Sequence, residues 1–312
     1  MAREIIIEAK NLTKSFARFK AVDDLSFAVH TGDVYGFLGQ NGAGKSTTMR
    51  MLLGLIYPDS GQVQIKGTRF NNNSRHLLKH VGAIIERPDL YRYLSGWDNL
   101  KMFAGISGVE VTTGRLHEVL DIVGLRGREQ DKVKAYSQGM KQRLGIAIAL
   151  VHNPDMLILD EPTNGLDPQG IYEMRLLIQR LSKDLGKTIL ISSHLLHEVE
   201  QIATSMIIIH RGKKIIEGDV KSLLSPDETL MEVVYVQDEQ LPSRFTGSKW
   251  VDYLVSANAD KATFKMNPAG MPDLNKWLVE QGVQVMEIKS SHSLETYFLS
   301  LTNSPYAEAG TI

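Results

Sequence analysis

One run of residues constrains this chain more than any other: Gly39-Gln40-Asn41-Gly42-Ala43-Gly44-Lys45-Ser46, followed by Thr47. It fits the spacing G-x-x-x-x-G-K-[ST], a loop that turns its backbone N–H groups inward around phosphates. Glycine is needed there because the backbone enters conformations closed to side chains. The context fits as well. An apolar strand-like stretch, Val34–Leu38, precedes the loop, and helical spacing runs from Lys45 to about Ile56, stopped by Pro58. A helix N-terminus adds positive potential at the same point. Lys45 is placed to reach the outer phosphates, the Ser46 hydroxyl to ligate Mg²⁺, and Thr47 to make a further phosphate contact.

A loop of this kind joins a strand to a helix, and the rest of the chain continues the pattern. Glu4–Ala9 and Val22–Val29 read as strands, Thr31-Gly32-Asp33 as a break, and Gln62–Lys66 as a short strand. Residues 71–80 read as a polar loop leading into a helix, and residues 95–107 and 112–123 have helical spacing. Met156–Leu159 is a continuous apolar run with the character of a central strand buried on both faces. Ile171, Met174, Ile178, Leu181 and Leu185 then recur at helical steps until Gly186, and Thr188–Ser192 is the next strand. Strand–helix–strand succession predicts an α/β domain built on a parallel sheet.

Asp160 and Glu161 end the apolar strand. Acids there, facing a phosphate loop, suit Mg²⁺ binding by Asp160 and polarisation of an attacking water by Glu161. His194 and His197 both follow the next strand, and spacing alone leaves either able to donate a hydrogen bond to a terminal phosphate. Tyr136-Ser137-Gln138-Gly139-Met140 precedes the helical run Lys141–Val151. It reads first as an ordinary N-cap, with a second anion-binding element as the alternative.

Whole-chain properties narrow the function class. With 35 Lys+Arg against 36 Asp+Glu, the chain lacks the basic excess of a nucleic-acid binder. With no cysteine it has neither disulfides nor thiolate metal sites, which fits a reducing compartment. The apolar run Ile5–Ile7 is too short for a signal-peptide core, and no uncharged stretch reaches the ~18 apolar residues of a spanning helix, so work at a membrane would need another chain to span it. The 312 residues suffice for one large domain and one small one. Ser225-Pro226-Asp227 marks the linker. Beyond it lie strand-like runs Leu230–Val236, Trp250–Ser256 and Ala262–Met266, a helix at Pro272–Gln281 and a strand at Val283–Ile288. A last helix carries Leu294, Tyr297, Phe298 and Leu301 on one face. This predicts a small α+β domain over 226–312, its aromatics forming core and showing no readable chemistry.

Taken together, these motifs resemble the nucleotide-binding subunits of ABC transporters over about residues 4–225. Gly39–Thr47 matches the family's Walker A loop, Tyr136–Met140 its signature, Leu157–Glu161 its Walker B strand, Asn164-Gly165-Leu166-Asp167 its D-loop and His194 its switch histidine. The resemblance implies that Phe16 stacks on adenine and that Glu161 is the catalytic glutamate. It implies a P-loop NTPase fold: a parallel-sheet core, an antiparallel β-subdomain, and a helical subdomain at about 87–151 that touches a permease near Glu86–Leu94. It further implies a head-to-tail homodimer in which Ser137 and Gly139 reach the γ-phosphate of the partner's ATP. Such a subunit sits in the cytoplasm at the inner face of the membrane, held by separate transmembrane permease subunits and using ATP and Mg²⁺, with no nucleic acid. Two departures stand out. Gln138 and Met140 replace the usual Gly and Gln of the signature, and Glu86 replaces a usual Gln, so that Glu86 is expected to serve as metal ligand and sensor near the reacting phosphate. The pattern from Ile84 to Pro88, with Tyr136–Arg143, is most similar to the exporters of bacitracin and lantibiotic peptides. That similarity implies export of a drug, antimicrobial peptide or lipid-like cargo. The competing readings are an ABC-type ATPase acting on ribosomes or DNA, and an ATP-binding regulatory module.

Overall fold

The computed structural model describes residues 4–108, 110–223 and 229–291. The chain divides into two compact units, residues 1–218 and 219–312. The first unit runs β1 (Ile5–Phe16), β2 (Phe19–His30), β3 (Val34–Leu38), α1 (Lys45–Leu52), β4 (Ser60–Ile65), β5 (Thr68–Arg69), β6 (Val81–Ile84), α2 (Gly96–Ile106), α3 (Thr113–Ile122) and α4 (Gln138–Leu150). It continues through β7 (Met156–Asp160), α5 (Pro168–Lys183), β8 (Thr188–Ser193), α6 (Leu196–Glu200), β9 (Ser205–His210) and β10 (Lys213–Asp219).

Two sheets organise this unit. The strand order β10-β9-β3-β8-β7-β6 forms the central sheet, and β2-β1-β4-β5 a second sheet, antiparallel throughout. Within the central sheet β6, β7, β8, β3 and β9 run parallel. Every residue of β3, β7 and β8 is buried, because these uninterrupted apolar runs are covered on both faces. Side-chain alternation sorts β7 between two cores. Leu157 and Leu159 pack with α4 and α5, while Met156 and Ile158 pack with α1 and the antiparallel sheet. Burying each such side chain contributes roughly 1.5–3 kcal/mol. The register sets Leu38 beside Ser193 and Asp160 beside Ser192, so the loops leaving β3, β7 and β8 emerge together at one edge. Open parallel sheets bind ligands at that carboxyl edge.

Several boundaries differ from the sequence expectation. The helix after the phosphate loop ends at Leu52, not Ile56, because Gly54 turns left-handed (φ +63°) and its N–H bonds the Met51 carbonyl. Residues 72–80 form a 3₁₀ helix opened by an Asn71–Ser74 capping box.

The second unit comprises α7 (Val220–Leu223), β11 (Leu230–Tyr235), α8 (Leu241–Phe245), β12 (Leu254–Ala257), β13 (Lys261–Lys265), α9 (Met271–Glu280) and β14 (Val285–Ser291). Its sheet, β12-β13-β11-β14, is antiparallel. Met231, Val233, Tyr235, Phe245, Phe264 and Leu278 build a separate core. The strand expected over Trp250–Ser256 is confined to Leu254–Ala257. Trp250 is buried as a core anchor, and Val251–Tyr253 forms a 3₁₀ turn, which draws these apolar residues out of strand geometry. The last strand starts two residues later than expected, because Gly282 is left-handed and the Val283 N–H still bonds the α9 carbonyl of Leu278. The proposed linker at 225–227 and the final helix at Leu294–Leu301 lie outside the described residues.

Candidate functional site

The loop between β3 and α1 turns on glycines at positive φ. Gly44, at φ +106°, caps α1, and a Cβ there would stand 2.4 Å from the Ala21 carbonyl oxygen, so only glycine fits. No side chain caps α1, which leaves its first N–H groups to an anion. A cleft of about 620 Å³ opens over this loop. It gathers Phe16, Asn41, Gly42, Gly44, Lys45, Ser46, Thr47, Glu86, Asp160 and Glu161, ten of the residues singled out from sequence.

Lys45 is buried, and its Nζ donates to the carbonyls of Gly39 (2.7 Å) and Gln40 (3.3 Å) while standing 3.2 Å from Glu161 Oε1. Gly39 and Gln40 thus hold Lys45 through their carbonyls; Gly39 and Ala43 are buried, whereas Gln40 is exposed. The other oxygen of Glu161, Oε2, lies 2.6 Å from His194 Nδ1. Of the two histidines, His194 meets Glu161, whereas His197 is exposed on α6. Glu161 sits at φ +49°, and its N–H donates to Ser192 Oγ at 2.8 Å. The Ser192 hydroxyl in turn donates to Asp160 Oδ1. The ends of β7 and β8 are thereby tied together through Asp160, Glu161, Ser192 and His194.

Asp160 Oδ2 is buried and has no hydrogen-bond partner among the described residues. A buried carboxylate oxygen left without a partner, in the same cleft as the Ser46 hydroxyl, suits a hard divalent cation. Among the described residues no three of His, Cys, Asp and Glu cluster as a metal cage. The oxygens of Ser46 and Asp160 therefore fit an ion that completes its shell with substrate phosphates and water, as magnesium does.

Three sequence candidates sit differently. Ser137 and Gly139 do not line this cleft. Ser137 caps α4, its Oγ accepting from Met140 N at 3.2 Å. Glu86 lines the cleft, but its carboxylate is paired with Arg50 of α1.

The cleft also contains residues that sequence reasoning missed. Phe19 pairs with Phe16 across the β1–β2 turn, so the two aromatics flank one side, both exposed. Their spacing across a two-residue turn was the available signal. Gln142, from the first turns of α4, is buried, and its Nε2 donates to the Pro162 carbonyl at 3.2 Å, just past Glu161. Nothing in its sequence neighbourhood announces that contact, which spans two elements.

A phosphate-binding loop at the carboxyl edge of a parallel sheet, faced by a Lys–Glu–His chain, defines a P-loop ATPase unit. The family model described as ABC transporter matches residues 22–164. The bacitracin transport ATP-binding protein BcrA of Bacillus licheniformis is 44% identical over 298 residues, 95% of this chain and 97% of its own length. The lantibiotic transport ATP-binding protein SrtF of Streptococcus pyogenes is 44% identical over 214 residues, 69% of this chain and 91% of its own. Among solved structures, cbiO1 of Clostridium perfringens, part of an ABC transporter complex, superposes with a TM-score of 0.65 at 26% identity, over 70% of this chain and 90% of that one. The chain belongs to the ABC transporter ATP-binding proteins. It is the ATP-binding, ATP-hydrolysing subunit of such a transporter, and among its described residues no helix is long and apolar enough to cross a membrane.

Proposed function

We propose that the first unit is the hydrolytic motor of an exporter, bound in the cytoplasm to separate permease subunits and acting as a head-to-tail homodimer. The observation that carries the chemistry is the position of Glu161, held between Lys45 and His194 at the mouth of the phosphate loop. As ATP enters, Lys45 exchanges its contact with Glu161 for the β- and γ-phosphate oxygens, and the first N–H groups of α1 close on the same phosphates. Phe16 and Phe19 offer faces on which adenine stacks. Ser46 and Asp160 would hold magnesium, which would supply charge neutralisation on the phosphate oxygens. Released from Lys45, the Glu161 carboxylate accepts a proton from water as the water oxygen bonds to the γ-phosphorus and the bond to the ADP oxygen breaks. His194, with Nδ1 2.6 Å from Glu161 Oε2, holds Glu161 in place.

Ser137 and Gly139 lie outside their own chain's cleft, which supports a role across a dimer interface. There they would bring the α4 N-terminus to the partner's ATP. Export of a peptide antibiotic or similar amphipathic cargo is supported by the bacitracin and lantibiotic transport relatives. The test is Mg-ATP turnover of the purified chain beside Glu161→Gln, with mass in solution read by light scattering. Turnover in the wild type, with an ATP-bound but inactive dimer in the variant, supports the motor. Equal turnover in both removes Glu161 from the mechanism.

A further inference from the structure

The Glu86 carboxylate stands where it adds charge to a site that binds phosphates, and the structure shows how that charge is held. Glu86 follows β6 at φ +62°, a left-handed position that a non-glycine residue keeps only when its surroundings hold it there. Its carboxylate is paired with the Arg50 guanidinium. Arg50 lies on α1 four residues after Ser46, so the two share one helix face, separated by a single turn of about 5.4 Å. Ser46, Thr47 and Arg50 are all half-buried along that face, whereas Lys45, Thr48 and Met49 point into the protein. Arg50 is also the basic residue of the last turn of α1, where the helix dipole favours a cation. Arg87 and Asp89 line the same cleft, yet among the described residues the ion pair of Glu86 is with Arg50.

We infer that Arg50, one helical turn along α1 from Ser46, is a positioning residue that holds the Glu86 carboxylate away from the Ser46–Asp160 magnesium position, so that Arg50 and the metal compete for it. The inference rests on the Mg-ATP reading of the cleft. With Glu86 on Arg50, the added acid is neutralised and the phosphates meet no net extra charge. With Glu86 released, a carboxylate becomes available to the cation. Arg50 thereby sets how strongly nucleotide binding depends on magnesium.

The experiment uses the full chain and a fluorescent, non-hydrolysable ATP analogue, titrated with magnesium chloride. It reads the half-saturating magnesium concentration for nucleotide binding, not turnover. Arg50→Met is expected to lower that concentration by about fivefold, the scale of an exposed ion pair, and Arg50→Lys to stay near wild type. In the Glu86→Gln background, Arg50→Met is expected to change nothing. An equal shift in both backgrounds means Arg50 acts only as bulk positive charge and overturns the inference, as does an absent shift in the wild-type background. If wild-type nucleotide binding shows no magnesium dependence, the Mg-ATP reading itself fails and the inference falls with it.

Discussion

The two units bury different kinds of side chain. The first encloses Lys45, Asp160 and Glu198 together with Gln142, Asn99 and several hydroxyls; among the described residues of the second, the only buried polar side chain is Thr229. Burying charge is unfavourable unless a partner or a ligand compensates it, so a fold that retains such groups marks where its chemistry lies. The core of the second unit is mainly apolar, with Phe245 edge-on to Phe264 and tilted against Trp277. Relatives differ in how much of this chain they match. The bacitracin relative matches 95% of this chain, while the lantibiotic relative matches 69% of it and yet 91% of its own length. The cleft over the phosphate loop and the residues 22–164 matched by the ABC transporter family model both lie in the first unit.

The contrast can be broken most decisively at Glu161. Glu161→Gln is expected to lower turnover by about 10²-fold or more while ATP still binds, measured by phosphate release beside equilibrium binding. A variant that keeps wild-type turnover would move the chemistry elsewhere. The converse test is Phe264→Ala. Truncating this fully buried ring should destabilise the second unit by roughly 3–5 kcal/mol, seen as an earlier transition in urea, with ATP affinity unchanged. Lost ATP affinity would show that the two units are not separable in function.

Ser137→Ala sharpens the comparison within the first unit. It removes an N-cap worth about 1 kcal/mol, and in the dimer reading turnover falls about tenfold, while ATP affinity at concentrations too low for dimers holds. An equal loss of affinity in the monomer would place Ser137 on its own chain's nucleotide. The smallest effect is a pH dependence. Burial holds the His152 imidazole below its ordinary value, only partly offset by its hydrogen bond to the Val81 carbonyl. As pH falls below the unfolded value of about 6.5, the unfolded chain takes up the proton first, so stability declines down to the lowered folded value. Urea midpoints at pH 7.5 and 5.5 should therefore differ less in His152→Gln than in wild type, and an unchanged difference would exclude this histidine.

What could be read in advance follows from the range of each cause. The phosphate loop, the buried strand Met156–Leu159 and its terminal acids are set by neighbours within a few residues, so their spacing alone specified them. Trp250–Ser256 misled because apolar residues in a turn and in a strand look alike until the core that receives Trp250 exists. Glu86 was legible as a departure from a pattern, but not as the partner of Arg50, which lies 36 residues away.

By itself, then, the sequence determined that the chain carries a phosphate-binding loop between a strand and a helix, and that two acids end a later buried strand, because backbone conformation and burial pattern are local properties of the chain. Only the tertiary structure decided that His194 and not His197 meets Glu161, that Lys45 waits on that same carboxylate, and that Gln142 reaches the Pro162 carbonyl. Those contacts join strands and helices far apart in sequence. They exist only once the parallel sheet has fixed its register and brought the ends of β3, β7 and β8 to one edge.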